Sequence, residues 1–155
     1  MALILSISEK LSRAAADFRA GIPVIIAADG IFILTAPLET MGKDRLADMR
    51  KLATPFVAIT DKRAATLKVR AYDGDLARIA LPENRGMDWI AAVDDPALDL
   101  DYPMKGPFQE LRNYIGSATR AGIALAKRAH LLPAIFGVEI TAAQVAELSS
   151  HLSMF

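Results

Sequence analysis

Four aspartates crowd the segment Asp94-Asp95-Pro96-Ala97-Leu98-Asp99-Leu100-Asp101, enough carboxylate oxygen to interest a hard cation. A calcium loop spaces its ligands regularly and closes on a glutamate, and this segment does neither, so a solvated acidic loop is the plainer reading. A second group, Gly116-Ser117-Ala118-Thr119, precedes a helical pattern. Free backbone N–H groups at a helix start, with the hydroxyls of Ser117 and Thr119, suit an anion such as phosphate. Ordinary helix capping would use the same residues. His130 and His151 match no zinc spacing and read as structural or surface histidines. Trp89, Tyr102 and Phe108 can line a pocket, although aromatic residues this thinly spread are more often core anchors. No G-x-S-x-G elbow and no cysteine occur, which removes the common serine and thiolate nucleophiles, disulfides and sulfur-bound zinc.

The elements that must position these residues follow from hydrophobic period and punctuation. Leu11, Ala14, Ala15 and Phe18 predict a helix over 9–20, opened by Ser8 and ended by Gly21. Two β-branched runs, 22–28 and 31–36, flank Asp29-Gly30, a dipeptide suited to a tight hairpin turn. Because neither run alternates polar and apolar residues, both of its faces should be covered, and the hairpin is expected at the centre of the sheet. A helix over 42–52, a strand over 55–60, a short helix capped by Asp61 and running to Leu67, and a strand over 76–81 follow. Prolines 96, 103 and 107 and the aspartates predict loop from 83 to 107, apart from a short helix around Trp89. A helix from Ser117 or Thr119 to Ala129, a strand over 134–140, and a last helix opened by the Thr141–Gln144 capping box complete the chain. The fold class expected is a layered α/β domain on a mixed sheet, not a purely parallel one, spanning 1–155 as a single unit.

At 155 residues and 53% apolar content, one continuous core is sufficient. Eighteen basic and eighteen acidic side chains cancel and are interspersed, so neither nucleic acid nor an anionic membrane is favoured as a partner. The apolar runs fall short of the ~20 residues of a spanning helix, and the apolar start lacks the features of a secretory signal. A cytoplasmic location is expected.

The segment from Ala118 to Ile140, reading A-T-R-A-G-I-A-L-A-K-R-A-H-L-L-P-A-I-F-G-V-E-I, resembles a signature of the form G-H-T-E-A-A-x-D-L-A-x-L-A-G-L-x-P-A-x-V-x-C-E-I. That signature belongs to 3,4-dihydroxy-2-butanone 4-phosphate synthase. Ala16 to Ile26 and Ala36-Pro37-Leu38-Glu39-Thr40 are similar to two earlier stretches of the same family. The resemblance implies conversion of ribulose 5-phosphate to a four-carbon ketone phosphate and formate, with two magnesium ions and a site at a homodimer interface. It also implies departures. The family's acidic loop between its first two strands is replaced by Asp29-Gly30, its metal-binding histidine falls on Ala118, and a nearby glutamate falls on Arg120.

What matches is Glu139, in the place of a catalytic glutamate, and Thr119 with Gly116 and Ser117 in the phosphate-cradling turn. The expectation is therefore a degenerate, non-catalytic member linked to riboflavin synthesis, with no cofactor because the magnesium ligands are missing. It would serve as a homodimerisation or sugar-phosphate-binding module. Similar domains form the front half of some bacterial GTP cyclohydrolase II proteins, which makes such a catalytic domain an expected partner. The alternative is an active lyase or isomerase on a sugar phosphate, with Glu139 moving protons and Asp29 or Glu39 assisting; it requires those carboxylates to converge.

Overall fold

A computed structural model describes residues 2–71, 74–101, 106, 108–111 and 116–154. Tyr102, Pro103 and Pro107 lie outside the described residues.

The hairpin forms as its sequence predicts. Strands β1 (Val24–Ala28) and β2 (Ile31–Pro37) pair antiparallel from Val24↔Thr35 to Ala28↔Ile31. The two residues left over, Asp29 and Gly30, both take positive φ, 53° and 76°. That is the combination a two-residue type I′ turn requires, and an Asp-Gly pair supplies it cheaply. Strands β3 (Phe56–Thr60), β4 (Leu76–Ala80) and β5 (Ala134–Ile140) complete one sheet in the order β1-β2-β5-β3-β4.

The hairpin is thus not central, contrary to expectation: β1 is an edge and β5 occupies the middle. Its apolar character has another cause, since helices cover both faces of the sheet. The C-terminal segment also shields the β1 edge, where Ile25 N–H donates to the Ser153 carbonyl at 2.9 Å. Such cover removes an open template for strand addition. The layered α/β architecture is as expected, with every ladder between named strands antiparallel. The one parallel pairing among the described residues is an isolated bridge between Ile25 and Met154.

Helices α1 (Ile7–Arg19) and α5 (Gly116–Arg128) pack on one face of the sheet, against Val24, Ile26, Ile33, Phe56, Ala58 and Ile135. On the other face, α2 (Lys43–Leu52), α4 (Met87–Asp94) and α6 (Ala142–Leu148) bring Leu46, Met49, Trp89, Ile90, Val93, Val145 and Leu148 onto Ile25, Leu34, Val57, Phe136 and Val138. A short helix α3 (Asp61–Leu67) follows β3, and a 3-10 turn spans Pro96–Leu98.

Caps move some boundaries. Ser6 opens α1 with Glu9 in a capping box, earlier than Ser8, and Thr60 rather than Asp61 caps α3 by accepting Arg63 N–H. Helix α5 already includes Gly116, so Thr119 lies inside it instead of at its cap. Thr141 and Gln144 form the predicted capping box of α6.

Two close approaches depend on glycine, one between α5 and the sheet and one within the sheet. A Cβ on Gly122 would sit 2.6 Å from Ile135 Cδ1, and one on Gly137 would sit 2.6 Å from Phe56 Cζ. Phe56 therefore lies flat over the middle of β5, which matters for the cleft beside it.

Candidate functional site

Along β5 the pleat sends Phe136, Val138 and Ile140 into one core, and Ile135, Gly137 and Glu139 toward the α1/α5 face. Glu139 stands opposite Ile33 of β2 and is exposed. It opens onto a cleft of about 450 Å³ whose walls include Thr54, Phe56, Arg78, Leu111 and Thr141.

Arg78 reaches the same face through the pairing chain Ile135↔Ala58 and Ala58↔Arg78. It is only 2% exposed, and its guanidinium carbon lies 5.8 Å from the Phe56 ring centroid. A ring face this close stabilises a cation withdrawn from water. The cleft thus combines a cation, a carboxylate and the two threonine hydroxyls, which suits an anionic, hydroxyl-bearing ligand. Arg78 was not singled out from sequence. The signal was a lone arginine in the otherwise apolar run Leu76-Ala77-Arg78-Ile79-Ala80-Leu81.

The other sequence-derived residues distribute elsewhere. Gly116 and Thr119 are buried and Ser117 is half-buried, and none of the three lines the cleft with Glu139. Ala118, in the place of the metal-binding histidine, is a core residue of the α5 face. Arg120 turns away to Asp75, with Nη2 to Oδ1 at 2.8 Å, and this guanidinium holds the Asp75 carboxyl below its usual range.

Asp29 is at the hairpin turn, and from Ile31 to the level of Glu139 at Ile33 the strand advances about 7 Å. Glu39 lies two residues past Pro37, the far end of β2, which is itself about 14 Å of strand from Ile33, and its Oε2 accepts Leu132 N–H at 2.7 Å. Glu39 and Glu139 therefore do not converge. The donor set does not fit a magnesium pair either: among the described residues no three His, Asp or Glu side chains come together to hold a metal ion.

The acidic run is not uniformly solvated. Asp95 Oδ1 accepts Ala97 N–H at 2.9 Å as a turn cap, Asp99 pairs with Arg63 at 2.8 Å, and Asp94 is buried. Its neighbours explain the difference: α4 carries Asp94 into the protein at its last turn, where a sequence reading as loop would leave it in water. His130 and His151 are exposed, the former at φ 61° just past α5. Trp89 and Phe108 are core anchors with ring centroids 6.0 Å apart.

No protein-family model matches the chain. GTP cyclohydrolase-2 of Azospirillum brasilense is 31% identical over 127 residues, which is 80% of this chain and 33% of that protein. The chain thus spans about a third of the length of the curated relative it matches. Among solved structures, the 3,4-dihydroxy-2-butanone 4-phosphate synthase of Candida albicans superposes with a TM-score of 0.67 at 14% identity, over 94% of this chain and 92% of that one. A two-domain synthase of the same name from A. baumannii gives 0.64 at 14% identity, over 93% of this chain and 54% of that one. A synthase of that name in complex with two magnesium ions gives 0.67 at 13% identity, over 94% and 91%. The chain carries the fold of 3,4-dihydroxy-2-butanone 4-phosphate synthase and resembles that family, and in sequence it is related to part of a GTP cyclohydrolase-2.

Proposed function

We propose that the chain is a non-catalytic module of the dihydroxybutanone phosphate synthase type that binds a sugar phosphate and self-associates in the service of a riboflavin-pathway protein, a GTP cyclohydrolase II catalytic domain being the natural partner. One observation carries the non-catalytic half. The register Ala28↔Ile31 leaves only Asp29 and Gly30 between β1 and β2, where the family resemblance implies a loop of several carboxylates. A turn of two residues has no room for a metal-binding cluster. The Lewis acid that would stabilise an enediolate in the related enzymes then lacks the ligands such a loop would supply. The binding half is supported by the cleft whose walls hold both buried Arg78 and exposed Glu139. The start of α5, with Gly116, Ser117 and Thr119, is the second place for phosphate, and Ser117 is its most accessible hydroxyl.

The test is one preparation read two ways. Incubated with ribulose 5-phosphate and magnesium, the purified chain releases no formate above its Glu139→Gln variant; formate that vanishes in the variant would overturn the non-catalytic reading. Titrated calorimetrically with ribulose 5-phosphate, it binds, and Arg78→Lys or Ser117→Ala weakens binding according to which group holds the phosphate. No heat at millimolar ligand would strip the ligand and leave a scaffold.

A further inference from the structure

At the end of the sheet away from Glu139, where β3 finishes at Thr60 and β5 begins at Ala134, a second cleft of about 280 Å³ lies between α3 and the end of α4. Its walls include Thr60, Lys62, Arg63, Thr66, Asp94 and Asp99. Asp94 is 6% exposed, and its Oδ1 has no hydrogen-bond partner among the described residues. A buried carboxylate so placed, with Asp94 contributing to the wall of a cavity larger than one water needs, asks for a donor.

The surrounding charges decide what kind. Arg63 is committed to the protein: Nε donates to the Val93 carbonyl, Nη1 to Asp99 Oδ2, and Nη2 to both Asp99 Oδ1 and the Ala92 carbonyl, at 2.8–3.1 Å. It therefore has little left to offer an anion. Lys62 is exposed at the rim. Against these two cations stand Asp94, Asp99 and, close enough to act on Asp94, Glu39 and Asp95. Carboxylates thus outnumber cations around the cleft, yet no three of the described carboxylates and histidines converge as metal ligands. Leu132, Pro133 and Pro96 add an apolar wall.

We propose that this cleft binds a small organic cation, a primary ammonium group on a short apolar chain, with the Asp94 carboxylate accepting its N–H and the aliphatic part lying on Leu132 and Pro133. Burial first, then the charges of Glu39 and Asp95, push the Asp94 carboxyl up to about 7, with Arg63 opposing. Binding an ammonium group ionises that carboxyl, so ligand uptake is coupled to proton release.

The probe is n-butylammonium, with butyrate and tetramethylammonium as controls, titrated calorimetrically into the full chain. Because the carboxyl titrates at about 7, affinity for n-butylammonium rises about tenfold from pH 6 to pH 8. At pH 6.5 the binding heat changes between buffers of different ionisation enthalpy, showing proton release by the wild-type protein itself. Asp94→Asn lowers the affinity at least tenfold. The proposal is overturned by no saturable binding at pH 8, by binding that is pH-independent and survives Asp94→Asn, or by preference for butyrate.

Discussion

Asp94 ends α4 inside the protein, and its carboxyl has its pKa pushed up to about 7, chiefly because burial withholds water and secondarily because Glu39 and Asp95 face it. In the unfolded chain it ionises near its ordinary 3.8. Between those two values the folded state holds a proton that the unfolded state has released, so this group's contribution is fully present below about pH 4, declines as pH rises, and is gone above about pH 7. Asp94→Asn abolishes that decline and stabilises the fold at pH 8 by roughly 2–4 kcal/mol relative to wild type. Urea unfolding of both proteins at pH 5 and pH 8 measures it; parallel losses of stability in the two would refute the assignment. None of this was legible in the acidic run itself. Composition identifies Asp94-Asp95-Pro96 as a loop, and only the long-range docking of α4, through Trp89, Ile90 and Val93, decides which of its carboxylates leaves water. Arg78 was hidden in the same way, because an arginine in a strand looks solvated until the neighbouring strands and Phe56 are in place.

Among the elements, α3 shows how a seven-residue helix persists. A helix this short is unstable alone. It is held by the Thr60 cap and by Arg63, which bridges α3 to the last carbonyls of α4 and to Asp99. Arg63→Met would remove the donor to the Ala92 and Val93 carbonyls and the ion pair to Asp99, at a cost of about 3 kcal/mol. For a chain of this size that lowers the melting temperature by about 6–12 °C, whereas Lys62→Met on the exposed side should leave it within about 2 °C. Equal melting of the two variants would remove the bridging role. Local elements of this kind were readable from sequence because their causes are local: Asp29-Gly30 dictates the hairpin turn, and Thr141 with Gln144 opens α6. The insertion of β5 between β2 and β3 was not, since it joins residues about a hundred positions apart, such as Thr35 and the Phe136 carbonyl its hydroxyl donates to. A continuous apolar strand announces that both faces are covered, and is silent about which strand lies beside it.

For the whole molecule, the remaining question is what its surface meets. Leu3, Ile4 and Ile7 are 83%, 69% and 74% exposed just before and at the start of α1, an unusual grouping of large apolar side chains in water. Eighteen positive and eighteen negative side chains leave no net charge to keep copies apart. Under the proposed role the chain self-associates, and at this patch a second copy would cover exposed apolar side chains. Light scattering of the purified chain should then give a dimer at micromolar concentration that persists in high salt, because apolar contacts are not screened. A Leu3→Lys, Ile7→Lys double variant should be monomeric and still fold cooperatively, since neither side chain belongs to a core cluster. A dimer unaffected by the double variant would move the contact to another face. A monomeric wild type would remove dimerisation from the proposed role.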